Sequence, residues 1–272
     1  MTMTFFLHDS IQPNAPMKMI GQGGAGLGPS PAASRRPTGE FPLLLGKLRV
    51  PENELFVERE RLSTLLEKSI ANFPATMISG RAGTGKTSLA ASVATRRKKV
   101  GWYTVENTDL DWPTFSRYFS CCLREAGFNP AKGTDEERST QDNAIVKFLV
   151  KHFLGVKKDY SVAGPLIVLD DVHHVFDAPW FGEFFKLLLY SLPPNAHLIM
   201  LCRSKPPSPL WRLRSKQVLN VVEEEHLAFT TDETANLFDM HRCHEIQPEA
   251  ARSECFGRVS KLIETATRGR IQ

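Results

Sequence analysis

Ile78-Ser79-Gly80-Arg81-Ala82-Gly83-Thr84-Gly85-Lys86-Thr87-Ser88 is the stretch on which the fold turns. An apolar run, Ala75 to Ser79, leads into it, and a run rich in small residues continues to about Arg97. This order predicts a strand, a glycine loop and a helix, with Gly80 to Thr87 completing the pattern GxxxxGK[ST] at the junction. A triphosphate has to be wrapped closely by backbone N–H groups, and glycine alone tolerates the dihedrals and the close approach that this requires. Gly80, Gly83 and Gly85 supply that freedom. The helix that follows aims free N–H groups and its positive dipole end at the phosphates, and the Lys86 ammonium adds a mobile charge. Gly80, Arg81, Ala82, Gly83, Thr84, Gly85, Lys86, Thr87 and Ser88 are therefore the expected ATP/ADP-binding residues. The Thr87 hydroxyl is the expected ligand for Mg²⁺.

Outward from the loop, the sequence alternates in a βαβ rhythm that predicts parallel strands with crossover helices. A helix is expected from about Glu58 to Ile70, with Leu62, Leu65, Leu66 and Ile70 on one face, and a second apolar run covers Val100 to Val105. Helices are expected at Trp112 to Ala126, Thr140 to Leu154 and Trp180 to Leu192. Strands are expected at Leu166 to Leu169, His197 to Cys202 and Gln217 to Val222. Pro206, Pro207 and Pro209 are expected to keep the segment before the last strand out of regular structure. Thr230 and Glu233 have capping-box spacing for a helix ending near Met240. The reading is an α/β fold with a parallel sheet flanked by helices.

The strand Leu166 to Leu169 ends in Asp170-Asp171, roughly 80 residues beyond the glycine loop. A buried parallel strand delivers its last side chains to the carboxyl edge of the sheet, where ligands bind. Asp170 is thus expected to hold Mg²⁺, and Asp171 to orient or deprotonate an attacking water. Arg203 follows the next strand directly, where a guanidinium reaches a γ-phosphate and reports its loss. Lys86, Asp171 and Arg203 are the expected catalytic set. Arg59 lies in the flank before the first helix and is expected either to contact the base or phosphates or to pair with Glu58 or Glu60.

With 42% hydrophobic and 24% charged residues among 272, the chain has the composition of a globular protein able to bury a core. A net charge of +4 is a mild bias, and its densest basic run, Arg96 to Lys99, suits a helix C-terminus. Five cysteines without a CxxC pair give neither a disulfide framework nor a zinc ribbon, which fits a reducing cytoplasm. The His173-His174 pair and the His241, Cys243, His244 cluster lack zinc-site spacing. Trp102 and Tyr103 are expected in the core rather than as a base-stacking platform. No stretch nears the roughly 18 apolar residues of a membrane helix. Residues 1–42, rich in Gly, Pro, Ala and Ser, are expected to be a disordered leader. Residues 43–228 are the expected P-loop domain, and 229–272 a short helical extension, polar apart from an amphipathic stretch at Phe256 to Ile263.

Together, KLRVP (Lys47 to Pro51), VERERL (Val57 to Leu62), ISGRAGTGKTSLA (Ile78 to Ala90), GWYTVE (Gly101 to Glu106), IVLDDVH (Ile167 to His173), LCRSKPP (Leu201 to Pro207) and LAFTTDE (Leu227 to Glu233) resemble, in order and spacing, a known domain. It is the nucleotide-binding domain of the MalT-like, large ATP-binding LuxR-type regulators, P-loop ATPases of the STAND class related to AAA+ proteins. The resemblance spans about Lys47 to Phe238. It implies a switch in which ADP holds a closed monomer, while ATP with an inducer opens it for self-association. It implies nucleotide and Mg²⁺ at Lys86 and Thr87, a Walker B pair at Asp170 and Asp171, and a sensor at Arg203. Cys255-Phe256-Gly257-Arg258 stands where the family has a Gly-Trp-Pro-Ala-Gly-like motif, and the family's winged helix, helical repeats and helix-turn-helix have no counterpart before Gln272. The expectation is a slowly hydrolysing regulatory ATPase domain that contacts protein partners and does not itself bind DNA. Its rivals are a nucleotide-holding module without turnover and an origin-recognition-like AAA+ ATPase.

Overall fold

Five short strands carry nearly unbroken apolar sequence, as strands covered on both faces must. They are β1 (Ala75–Ser79), β2 (Val100–Thr104), β3 (Leu166–Asp170), β4 (His197–Cys202) and β5 (Leu219–Val222). In the computed structural model, which describes residues 43–52, 57–129, 141–153 and 164–269, they form one all-parallel sheet in the order β2-β3-β4-β1-β5. β1 is flanked by β4 and β5, with Ile78 level with both Leu201 and Val222, so the loop leaving β1 emerges mid-sheet.

Alternate side chains of each strand feed two cores. One face packs Met77, Tyr103, Ile167, Leu169 and Met200 against α3 (Trp112–Glu125), α4 (Gln141–Phe153), α5 (Phe181–Ser191) and α6 (Ser208–Ser215). The other packs Ile78, Trp102, Val168, Ile199 and Leu201 against α1 (Glu60–Asn72) and α2 (Lys86–Ala94). Trp102 and Tyr103 are both buried, as their apolar flanks predict. After β5 come the single turn α7 (Glu224–Leu227) and three helices, α8 (Thr231–Met240), α9 (Pro248–Cys255) and α10 (Val259–Gly269). These three share a separate apolar cluster in which Phe229, Leu237, Phe238, Leu262 and Ala266 enclose Val57.

The Thr230–Glu233 capping box forms as read, each residue accepting from the other's backbone N–H. One expectation is corrected. The proline-rich segment contains α6, because Pro209 falls in the first helical turn, where its missing N–H has no helical acceptor to lose. Helices α8, α9 and α10 lie in the stretch expected to be a short helical extension, and α9 and α10 bury only a narrow stripe each. The leader expected over 1–42 and the outer ends of the 140–154 helix lie outside the described residues. Among the described residues no helix is long and apolar enough to cross a membrane.

Candidate functional site

The loop between β1 and α2 is held at both ends by backbone pairing. Gly80 N–H donates to the Cys202 carbonyl at 3.1 Å, extending the β1–β4 register by one residue, and Leu89 N–H closes the first turn of α2 on Gly85 O at 3.0 Å. Gly83 and Gly85 have φ of 76° and 85°, the left-handed region that only glycine enters freely. Within this curve the Lys86 ammonium is buried and donates to Gly80 O at 2.6 Å and Arg81 O at 2.9 Å. Thr84 Oγ1 donates to Arg81 O at 2.9 Å, which tightens the turn from inside. Burial holds Lys86 below its ordinary pKa, against the opposing pull of Asp171 and Asp170.

The end of β3 meets the start of α2. Thr87 Oγ1 donates to Asp170 Oδ2 at 3.1 Å, and Asp171 N–H donates to Asp170 Oδ1 at 2.9 Å. Burial, followed by the neighbouring Asp171 charge, pushes the Asp170 carboxyl up to about 6. The chain turns sharply there, with Asp171 at φ 53°, a conformation that Asp tolerates better than most residues. That turn aims its carboxylate at Arg203, whose Nε and terminal nitrogen donate to the two oxygens at 3.1 and 2.8 Å. Beside it, His173 Nδ1 is buried without a hydrogen-bond partner among the described residues and lies 3.7 Å from Asp171 Oδ1. Burial holds this imidazole below its usual range.

The structure thus gathers Lys86, Thr87, Asp170, Asp171 and Arg203 at the carboxyl edge of three adjacent strands. Ser88 follows half-buried in α2. Arg59 is differently engaged. It is 3% exposed, pairs with Glu233 at 3.2 Å, donates to Leu227 O and Ala228 O, and lies over the Phe229 ring. Glu58 pairs with Arg96 instead. Sequence reading passed over Glu224, which accepts from Arg81 N–H at 2.9 Å and from its side-chain Nε at 2.8 Å. It also passed over Arg258, which donates to Ala82 O, and Ser260, whose N–H donates to Gly83 O. These contacts span 143 to 177 positions, and no local pattern signals them.

Sheet order, glycine loop and acidic strand end define an α/β P-loop NTPase-type domain. The chain is similar to the HTH-type transcriptional regulators MalT of Cronobacter sakazakii (26% identical over 215 residues), Serratia proteamaculans (28% over 193) and Yersinia enterocolitica (29% over 184). The matches cover 78%, 71% and 67% of this chain but 23%, 21% and 20% of those proteins. What it carries is a MalT-like NTPase domain, spanning about a fifth of the length of the regulators it matches. No family model matches the chain. Among solved structures, it is similar to the Walker-type ATPase PABY2304 of Pyrococcus abyssi, with a TM-score of 0.45 and 15% identity over 79% of this chain and 73% of that one.

Proposed function

We propose that this chain binds ATP or ADP with Mg²⁺ at Gly80–Thr87 and serves as a slowly hydrolysing, nucleotide-dependent regulatory domain. The observation that carries the reading is the Thr87 hydroxyl seated on the Asp170 carboxylate at 3.1 Å, one residue from the buried Lys86 ammonium. Two hard oxygen donors meeting beside a phosphate-sized curve of backbone N–H groups suit Mg²⁺, which takes one or two protein oxygens and completes its shell with phosphate and water. When bound, Mg²⁺ would neutralise charge on the phosphates. In this reading Lys86 leaves Gly80 O and Arg81 O for the phosphate oxygens, while the N–H groups of Gly83, Gly85, Lys86 and Thr87 hold the chain of phosphates, with Arg81, Ala82, Thr84 and Ser88 shaping the curve. Asp171 orients water and Arg203 reports the γ-phosphate. Arg59 bounds the site from the side of the C-terminal helices.

A regulatory role is supported by the likeness to MalT, a transcriptional regulator. A protein partner or self-association under the control of ATP, and a cytoplasmic location, go with that role. The separate apolar cluster of Phe229, Leu237 and Leu262 supports a division into a P-loop domain over 43–228 and a helical extension over 229–272. One observation favours a second reading, a module that holds nucleotide without turnover. Each Asp171 oxygen already accepts from Arg203, so its carboxylate is held by a guanidinium, which weakens it as a base toward water.

Calorimetric titration with ATP and ADP plus Mg²⁺, beside Lys86→Ala and with phosphate release followed, separates these outcomes. Binding that is lost in the variant, with slow release in the parent, is expected. Binding without release selects the second reading, and equal binding by parent and variant removes the site.

A further inference from the structure

Four successive carbonyls of the phosphate loop divide between Lys86 and the segment that opens α10. Gly80 O and Arg81 O face inward and accept from Lys86 Nζ, whereas Ala82 O accepts from the Arg258 guanidinium at 2.6 Å and Gly83 O from Ser260 N–H at 3.1 Å. Ser260 lies in the first turn of α10, where backbone donors have no helical acceptor, so the loop satisfies one of that helix's orphan groups. The contact has no slack. A Cβ added to Gly83 would lie 2.2 Å from Ser260 Oγ, and one on Gly85 would lie 3.5 Å from Val259 Cγ1. Across the same loop Glu224 grips Arg81 through its N–H and its side chain, and the Arg258 charge acts on Glu224.

We propose that Arg258 and Ser260 form a latch between the outer carbonyls of the phosphate loop and α8–α10, so that the seating of these helices follows the loop's conformation. The inference rests on the loop's being the nucleotide site. When Lys86 leaves Gly80 O and Arg81 O for a phosphate, the peptides it held are released, and their neighbours at Ala82 and Gly83 are the ones the latch grips. A two-contact latch on adjacent carbonyls cannot follow a rotation of either peptide without moving α10. The helices around Phe229 and Leu262 share a cluster that takes in Val57 but no strand residue, so they can tilt without opening the sheet core. Arg258 and Ser260 are positioning residues: they act on the nucleotide through the loop.

The test is hydrogen–deuterium exchange of the full chain, alone and with saturating Mg²⁺ plus ADP or a non-hydrolysable ATP analogue, in the parent, Arg258→Ala, Arg258→Lys and Ser260→Pro. Proline is tolerated in a first helical turn, so Ser260→Pro deletes the donor to Gly83 O while leaving α10 a permitted helix. Nucleotide should alter protection over residues 231–269 in the parent and in Arg258→Lys, but not in Arg258→Ala or Ser260→Pro. Without nucleotide, the last two should exchange roughly tenfold faster in α10, the factor expected for losing one hydrogen bond to a charged or oriented group. Should Ser260→Pro fail to fold, Arg258→Ala beside Arg258→Lys decides. Nucleotide binding with an unchanged response in Arg258→Ala, or with no response in the parent, overturns the latch. If the parent binds no nucleotide, the site reading fails, and the latch is judged on the nucleotide-free samples: equal exchange in parent and variants removes it, faster exchange in the variants sustains the contact.

Discussion

Gly101 shows how closely single residues govern this fold. A Cβ there would lie 2.0 Å from the Cys122 carbonyl oxygen, because the backbone of α3 rests directly on β2. Gly101→Ala has to push the helix away from the edge strand, an overpacking that costs about 1–3 kcal/mol. A urea midpoint lowered at unchanged slope is the expected result, and an unchanged midpoint would mean that α3 moves freely on β2. Asp170 carries the opposite balance. It is a carboxylate 5% exposed and next to a second carboxylate, so its charge is costly in the protein alone. Asp170→Asn keeps an acceptor for the Thr87 hydroxyl and removes the charge. It is expected to raise stability in the absence of nucleotide by about 0.5–2 kcal/mol, the usual return on relieving a strained functional site. Nucleotide affinity should at the same time lose its dependence on Mg²⁺, seen by titration with and without a chelator. Affinity that still falls on chelation would remove Asp170 from the metal site. At this scale the sequence was most legible. A glycine loop between strand and helix, and two acids ending a buried strand, are local patterns with local causes. The Asp171–Arg203 pair was not legible, because it depends on β3 and β4 being neighbours.

Between elements, a buried polar chain at the amino edge of the sheet ties α1, β1, β4 and β5. Asn220 Nδ2 donates to Ser69 Oγ at 2.8 Å, Ser69 and Thr76 hydroxyls meet at 2.6 Å, Thr76 Oγ1 meets His197 Nε2 at 2.9 Å, and His197 Nδ1 lies 2.7 Å from Phe73 O. Phe73 O can only accept, so Nδ1 carries the proton and Nε2 accepts from Thr76, which in turn accepts from Ser69. Protonating Nε2 breaks this order, and burial above all holds His197 down to about 4. The unfolded chain takes up that proton near pH 6.5 and the folded chain only near 4, so the stability is present above 6.5 and is lost as pH falls between them. The loss attributable to His197 is about 2 kcal/mol by pH 5. His197→Gln, although less stable at pH 7, should show a correspondingly smaller fall between pH 7 and pH 5 in urea unfolding. Parallel losses would place the acid sensitivity elsewhere. Most elements were legible from periodicity, including α1 and the capping box of α8. α6 was obscured because prolines read as breakers also serve first turns, and the bounds of α9 and α10 within the expected helical extension because a helix with few apolar positions shows its ends only against its partner surface.

At the scale of the whole molecule, a buried ion pair ties the C-terminal helices to the start of α1. Arg59, before α1, reaches Glu233 of α8 at 3.2 Å across 174 positions, and both side chains are almost fully buried. Glu233 also accepts from Thr230 N–H at 3.0 Å, so one carboxylate closes the helix cap and binds the distant arginine. This link was the least legible feature, since a capping box reads as a local device and Arg59 has acidic neighbours nearer in sequence. Removing one member of a buried pair strands the other, at a cost of about 3–5 kcal/mol. Glu233→Ala should therefore cost more than the roughly 1 kcal/mol of a lost cap. Arg59→Ala should cost less, because Arg61 lies 3.5 Å from the same carboxylate and still faces it, and the double variant markedly less than the two losses added. Chemical denaturation of all four proteins gives this cycle directly. Costs that add to within about 0.5 kcal/mol would show the two residues to be uncoupled. Strong coupling would mean that the helices around Phe229 are held to the P-loop domain by a charge pair at one end and by the Arg258 and Ser260 contacts at the other. Loosening either end should then be felt at Gly83.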